Sequence, residues 1–161
     1  MRSKIGSSSL LALSIAGLLV VGNARQVRAE DSCSNESLRG SYAVQGTGTF
    51  TSGPFAGPAA FIGILRFDGA GHVEEDFTER LNAATGPITL KVPFGGSYTV
   101  NADCTAETIL VNQLNGAPNT QELILVNRGK EFLFLNTTAG LPTIFSGKGR
   151  KLSSGENDHN Q

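Results

Sequence analysis

Between Phe61 and Leu81 the chain reads FIGILRFDGAGHVEEDFTERL, two strand-like runs joined by Asp68-Gly69-Ala70-Gly71. β-branched and aromatic residues fill the first run. In the second, Val73, Phe77 and Leu81 recur at even spacings, the period of a strand with one buried face. A short connection rich in glycine between two such runs makes a β-hairpin. The same unit recurs along the chain, and no stretch of about ten residues or more after the N-terminal region carries a helical period.

Gly40 to Phe50 alternates with Tyr42, Val44, Gly46, Gly48 and Phe50 on one face and Ala43, Gln45, Thr47 and Thr49 on the other. Glycines on the apolar face remove side-chain volume and suit a strand bending around a small barrel. Ahead of it, Ser34 to Leu38 predicts one short helical turn, because Ser and Asn cap helices. Thr51 to Pro58 reads as a loop. Ile88 to Val92 reads as a short strand broken by Pro93-Phe94-Gly95-Gly96, where a bulge or a change of edge is expected, before Tyr98 and Val100 continue. Ala106 to Leu114 is the next strand. Gln121 to Asn127 and Glu131 to Asn136 form a second hairpin around Arg128-Gly129-Lys130, and Thr143 to Arg150 is the last strand.

This makes eight strands, or nine if Pro93 divides one. They are consecutive and joined by short turns. The expected fold is all-β: an antiparallel, up-and-down, calycin-like barrel, whose closure removes exposed strand edges. A barrel of about eight strands is filled by its own side chains or holds one small ligand. The second hairpin is apolar on both faces, and a single-layer barrel buries only its inner one. Its outer row therefore needs a neighbouring segment, a partner or a ligand, and self-association through Leu123, Leu125, Leu133 and Phe134 is one of these expectations.

Residues 1–29 have the form of a signal peptide. Arg2 and Lys4 precede the apolar run Leu10 to Val21, and Val27-Arg28-Ala29 offers a small-residue cleavage site. An apolar run of about twelve residues is too short for a membrane-spanning helix, which needs about twenty. The reading is thus a secreted or periplasmic chain with no membrane association after cleavage, one domain over 30–152, and a polar tail over 153–161. The leader holds four of the 13 basic residues and none of the 14 acidic ones, so the remainder is acidic. Without a basic run, this argues against nucleic acid as a partner. Cys33 and Cys104, an even pair in an oxidising compartment, are expected to form a disulfide, the alternative being two thiols. No His or second Cys pair at ligand spacing accompanies them, so neither a metal nor another cofactor is expected.

Candidate chemistry is sparse. There is no nucleophile elbow and no phosphate loop. His72 sits at a hairpin turn and His159 in the tail. Glu74, Glu75, Asp76 and Glu79 fall on opposite strand faces, which does not build a Ca²⁺ site. Glu75 and Glu79 share the apolar face of Val73, Phe77 and Leu81, about 13 Å apart along a strand, too far for a dyad. An interior Glu75 would have a raised pKa and is the one catalytic candidate. The alternative is that Arg66, Arg80 or Lys91 pairs with one of these acids near a barrel mouth, or that the two are solvated at the ends.

Three blocks carry a resemblance: Cys33-Ser34-Asn35 to Gly40-Ser41-Tyr42, Leu65 to Gly71, and Gly96-Ser97-Tyr98 to Asp103-Cys104-Thr105. They resemble C-S-N-x-S-L-x-G-x-Y, F-D-G-x-G and G-x-Y-x-V-x-x-D-C-T of a group of exported bacterial proteins to which no chemistry is attached. The resemblance implies export, the disulfide and an all-β fold. The strand count is more remotely similar to lipocalins and to allene oxide cyclase barrels, Gly40-Ser41-Tyr42 standing where lipocalins have Gly-x-Trp. The function expected first is non-catalytic binding of a small apolar ligand or a protein partner. The alternatives are an isomerase or cyclase using Glu75 on an enclosed apolar substrate, and a structural, self-associating domain.

Overall fold

A computed structural model describes residues 32–153 apart from residue 84; the expected signal peptide over 1–29 and the expected polar tail beyond 153 lie outside the described residues. Eight strands close into one antiparallel barrel in chain order: β1 (Gly40–Phe50), β2 (Gly57–Phe67), β3 (His72–Ala83), β4 (Gly86–Val100), β5 (Thr105–Asn112), β6 (Pro118–Val126), β7 (Glu131–Asn136) and β8 (Thr143–Lys151). β8 returns to β1 with Gly46 opposite Gly147 and Val44 opposite Gly149. A 3₁₀ turn at Asn35–Leu38 precedes the barrel.

The expected break at Pro93 is absent. β4 runs unbroken for 15 residues, which settles the count at eight. Pro93 faces outward, where the Asp76 position of β3 pairs with it, and its carbonyl accepts a hydrogen bond from the Gln113 N–H. The two glycines that follow let β5 come close: a Cβ at Gly96 would strike the backbone of Ile109, and one at Gly95 the amide of Gln113. The Pro-Gly-Gly signal thus marks a close approach between strands, not an interruption. β2 also begins earlier than expected, at Gly57, inside the stretch read as a loop.

Glycines on the inner face make room for rings. The Gly46 position is filled by the rings of Phe61 and Phe134, Gly48 by Phe145, Gly147 by Phe134 and Gly149 by Phe132. Side-chain volume that β1 and β8 lack is thereby supplied by β2, β7 and β8, which preserves interior packing density.

The barrel has two unlike ends. One is plugged by Leu38, Tyr42, Phe67, Val73, Tyr98, Leu110, Leu123 and Phe132, all buried. The 3₁₀ turn lies at this end. Asn35 accepts a hydrogen bond from the Val100 N–H on its side-chain oxygen and from the Tyr98 hydroxyl on its carbonyl. The Tyr98 oxygen in turn accepts from the Gly69 N–H. Tyr42 donates across the interior to the carbonyl of Gly129. The expected disulfide, Cys33–Cys104, is present with a Cα–Cα distance of 4.9 Å; it ties the segment before β1 to the β4–β5 turn, and the Cys33 N–H bonds the Ala102 carbonyl beside it. Asp68 closes the β2–β3 turn by accepting the N–H groups of Ala70, Gly71 and His72, which hold its carboxyl below its ordinary pKa.

The interface expectation needs correction. Leu123, Leu125 and Phe134 point into the barrel and are buried; of the four residues expected to drive self-association only Leu133 faces out. The outer row is Ile124, Leu133 and Leu135, roughly half exposed. Two-sided apolarity was visible in the sequence, but which row faced in depends on the register with β5 and β8, which no local pattern fixes.

Candidate functional site

The other end of the barrel is a cup. A cavity of about 300 Å³ opens between the inner faces of β2, β3, β4 and β6–β8 and the loops after β1, β5 and β7. All the phenylalanines of the chain except Phe67 and Phe132 line it. Their rings form a chain: Phe94 stacks on Phe77 at 5.1 Å and 17°, Phe77 meets Phe61 at 5.3 Å, Phe61 meets Phe134 and Phe145 at 5.8 and 6.1 Å, and Phe145 meets Phe50 at 5.4 Å. Leu81, Val92 and Leu90 complete the apolar wall.

Strand alternation delivers two carboxylates into this wall. Glu75 and Glu79 point inward on β3 with Val73, Phe77 and Leu81, while Glu74, Asp76 and Arg80 point out. Glu75 is 2 % exposed, sits between Leu65 of β2 and Phe94 of β4 in register, and its Oε2 has no hydrogen-bond partner. Removal from water, reinforced by the negative charge of Asp76, pushes its pKa up to about 8. Glu79 lies nearer the mouth, and burial raises its pKa as well.

The basic residues that could have neutralised these acids do not reach them. Arg66 bonds Asp76 at 2.8 Å on the outer surface, Arg80 donates to the Thr89 hydroxyl at 3.0 Å, and Lys91 is exposed on the outer face of β4. No basic side chain is among the residues lining the cup. Glu75 and Glu79 are thus in the interior, as the sequence allowed, and unpaired, against the pairing alternative.

The sequence reading missed the polar side chains facing them. Gln121, Asn112, Asn119, Asn136 and Thr143 line the cup; Gln121 is buried, Asn136 donates to Asn119 at 2.7 Å, and the Thr143 hydroxyl lacks a partner. Gln121 was findable, since alternation puts it on the face of Leu123 and Leu125. The asparagines sit at strand ends, where alternation gives no guide.

His72 is exposed and lies 3.7 Å from Glu74, remote from the cup lining. No cluster of three or more metal-ligating side chains occurs among the described residues, and no helix among them is long and apolar enough to cross a membrane. A larger furrow of about 800 Å³ crosses the outer surface between Ile62, Thr78, Leu133 and Lys148; it lies over strand backbone between outward side chains, on the opposite side of the wall from the cup.

The fold has solved counterparts. A redesigned β-barrel, mFAP1, solved bound to DFHBI, is 15% identical with a TM-score of 0.50 and covers 73% of this chain and 97% of its own. A related redesigned barrel, mFAP0, also bound to DFHBI, is 14% identical with a TM-score of 0.48 and covers 71% and 99%. At such identity the likeness to mFAP1 is one of fold. No protein-family model matches the chain, and no curated protein does.

Proposed function

We propose that this protein is an exported, non-catalytic barrel that takes a small, largely apolar ligand into the cup. The observation that carries the reading is the hollow end itself: about 300 Å³, at the lower bound of small-molecule sites, which run from about 300 to 1,000 Å³ and pair apolar walls with a few polar groups. Leaving rings such as Phe77 and Phe94 around an empty space forfeits packing that the plugged end achieves. A guest restores it. The fold of mFAP1, solved with the small molecule DFHBI bound, is compatible with such use. Export rests on the leader-like residues 1–29 and on the disulfide.

The test is uptake of a neutral fluorescent probe, N-phenyl-naphthylamine. A saturable blue-shifted signal is expected from the wild type and its loss from Ala117→Trp, which places an indole at the cavity wall without disturbing the backbone bonds of that loop. No saturable uptake by the folded wild type refutes the reading.

A second reading uses the same cup for isomerisation of an apolar substrate, with Glu75 giving and taking the proton. A buried carboxyl of pKa about 8 near neutral pH favours it. Turnover lost in Glu75→Gln, with the fold intact, would select it. The exposed row Ile124, Leu133 and Leu135 supports self-association as a separate property, which light scattering on the wild type and on Leu133→Lys tests.

A further inference from the structure

Two inward carboxylates face a wall of aromatic rings with no cation among the lining residues. An apolar guest alone leaves the Glu75 Oε2 without a partner, and a buried acceptor left so is costly. Resting on the ligand-binding reading above, we infer that the cup selects a small organic cation, a protonated amine on a flat apolar body, with its nitrogen seated on Glu75.

Each part of the site suits one part of that guest. The Phe77–Phe94 stack and Phe61 offer faces to the apolar body and, through their quadrupoles, to the charge beside it. Glu75 lies within that aromatic run and supplies the counter-charge, without which a buried ammonium would be prohibitive. Glu79, one inward position beyond Phe77 toward the mouth, is the charge met on the way in. Gln121 and the Asn119–Asn136 pair present amide oxygens to the cavity, able to accept hydrogen bonds from the remaining ammonium protons. The two carboxylates lie about 13 Å apart along the strand, so they do not share one metal ion, whereas an elongated cation passes one and stops at the other.

Protonation follows from the geometry. From the elements packed around Glu75 the facing groups are Leu65 of β2 and Phe94 of β4; Glu79 is the other ionisable group in the cup lining, and Asp76 acts on Glu75 from the outer face. A neutral Glu75 must give up its proton to hold the cation. Affinity for the amine therefore rises by up to tenfold per pH unit as the solution approaches pH 8, with a proton released on binding.

Three probes share one body: naphthylmethylamine, naphthylmethanol and naphthoate. Their affinities for the wild type, Glu75→Gln and Glu79→Gln are measured by calorimetry between pH 6 and pH 8 in buffers of different ionisation enthalpy. The inference expects the amine to bind at least tenfold tighter than the alcohol at pH 8, naphthoate to bind weakest, and only amine binding to strengthen with pH and release a proton. Glu75→Gln removes the amine's advantage and keeps the alcohol's affinity; Glu79→Gln keeps most of the advantage. Equal binding of amine and alcohol, or a preference for naphthoate, overturns the inference and leaves the ligand-binding reading standing. An amine preference that survives in Glu75→Gln overturns the assignment to Glu75. Failure of all three probes to bind a protein that takes up N-phenyl-naphthylamine overturns the inference alone; failure of that probe as well overturns the ligand-binding reading with it.

Discussion

Glu75 makes folding stability fall with rising pH, and the size of the effect follows from its burial. Below pH 4.5, its ordinary pKa, the carboxyl is neutral in both folded and unfolded chains and contributes no pH dependence. Between pH 4.5 and about 8 the unfolded chain has released this proton while the folded chain keeps it, so the native state binds more protons and stability drops as pH rises. One pH unit is worth about 1.4 kcal/mol, which puts the penalty at about 3 kcal/mol by pH 7 and about 5 kcal/mol above pH 8. Glu75→Gln has the same shape and no proton to lose. Relative to pH 5, where the two proteins are compared, the variant should gain about 3 to 4 kcal/mol on the wild type by pH 8. In urea that is a relative shift of the midpoint of about 2 M at a slope near the middle of the usual range. The assay is urea unfolding followed by far-UV circular dichroism at pH 5, 6, 7 and 8. Glu79 adds a dependence of the same sign that remains in the variant; the acids held low, Asp68 and Asp103, act below this window. Wild type and Glu75→Gln running parallel from pH 5 to pH 8 would show that the carboxyl is solvated, and would remove the unpaired interior carboxyl on which the site rests.

The plugged end gives two more expectations. Breaking the disulfide by Cys33→Ser with Cys104→Ser opens a loop of separation 71 and should cost about 4 kcal/mol on the chain-entropy account, read as a lower urea midpoint, while probe uptake at the cup survives in the folded fraction. Tyr42→Phe strands the buried carbonyl of Gly129 and should destabilise by about 1 to 3 kcal/mol, read by the same melts, again with little change at the cup.

What the sequence made legible was the barrel and its plugged end, for a reason that separates that end from the cup. The three motif-like blocks map almost wholly onto the plug: Asn35 and Tyr98 in one hydrogen-bond relay, Asp68 gathering the N–H groups of the β2–β3 turn, Cys33 bridged to Cys104, Tyr42 reaching Gly129. Each needs a particular residue type at a particular place because backbone groups or a covalent bond must be met there, and such demands write recognisable strings. The cup needs only volume, aromatic faces and two acids on the inner row, and many sequences satisfy that, so it leaves no motif. Alternation alone reached Glu75 and Glu79. It failed at Asn112, Asn119 and Asn136, which sit at strand ends, and at the inner and outer rows of β6 and β7, where both faces are apolar and register decides. The most motif-like residues of this chain hold the barrel shut at one end; the residues free of such duty surround the space at the other. A search for function that followed the motifs would therefore be drawn to the plug. The unpaired carboxyl of Glu75, which no part of the fold requires and which costs stability at neutral pH, is the better guide, because under the proposed function a group that weakens the empty protein is explained by what it does when the cup is full.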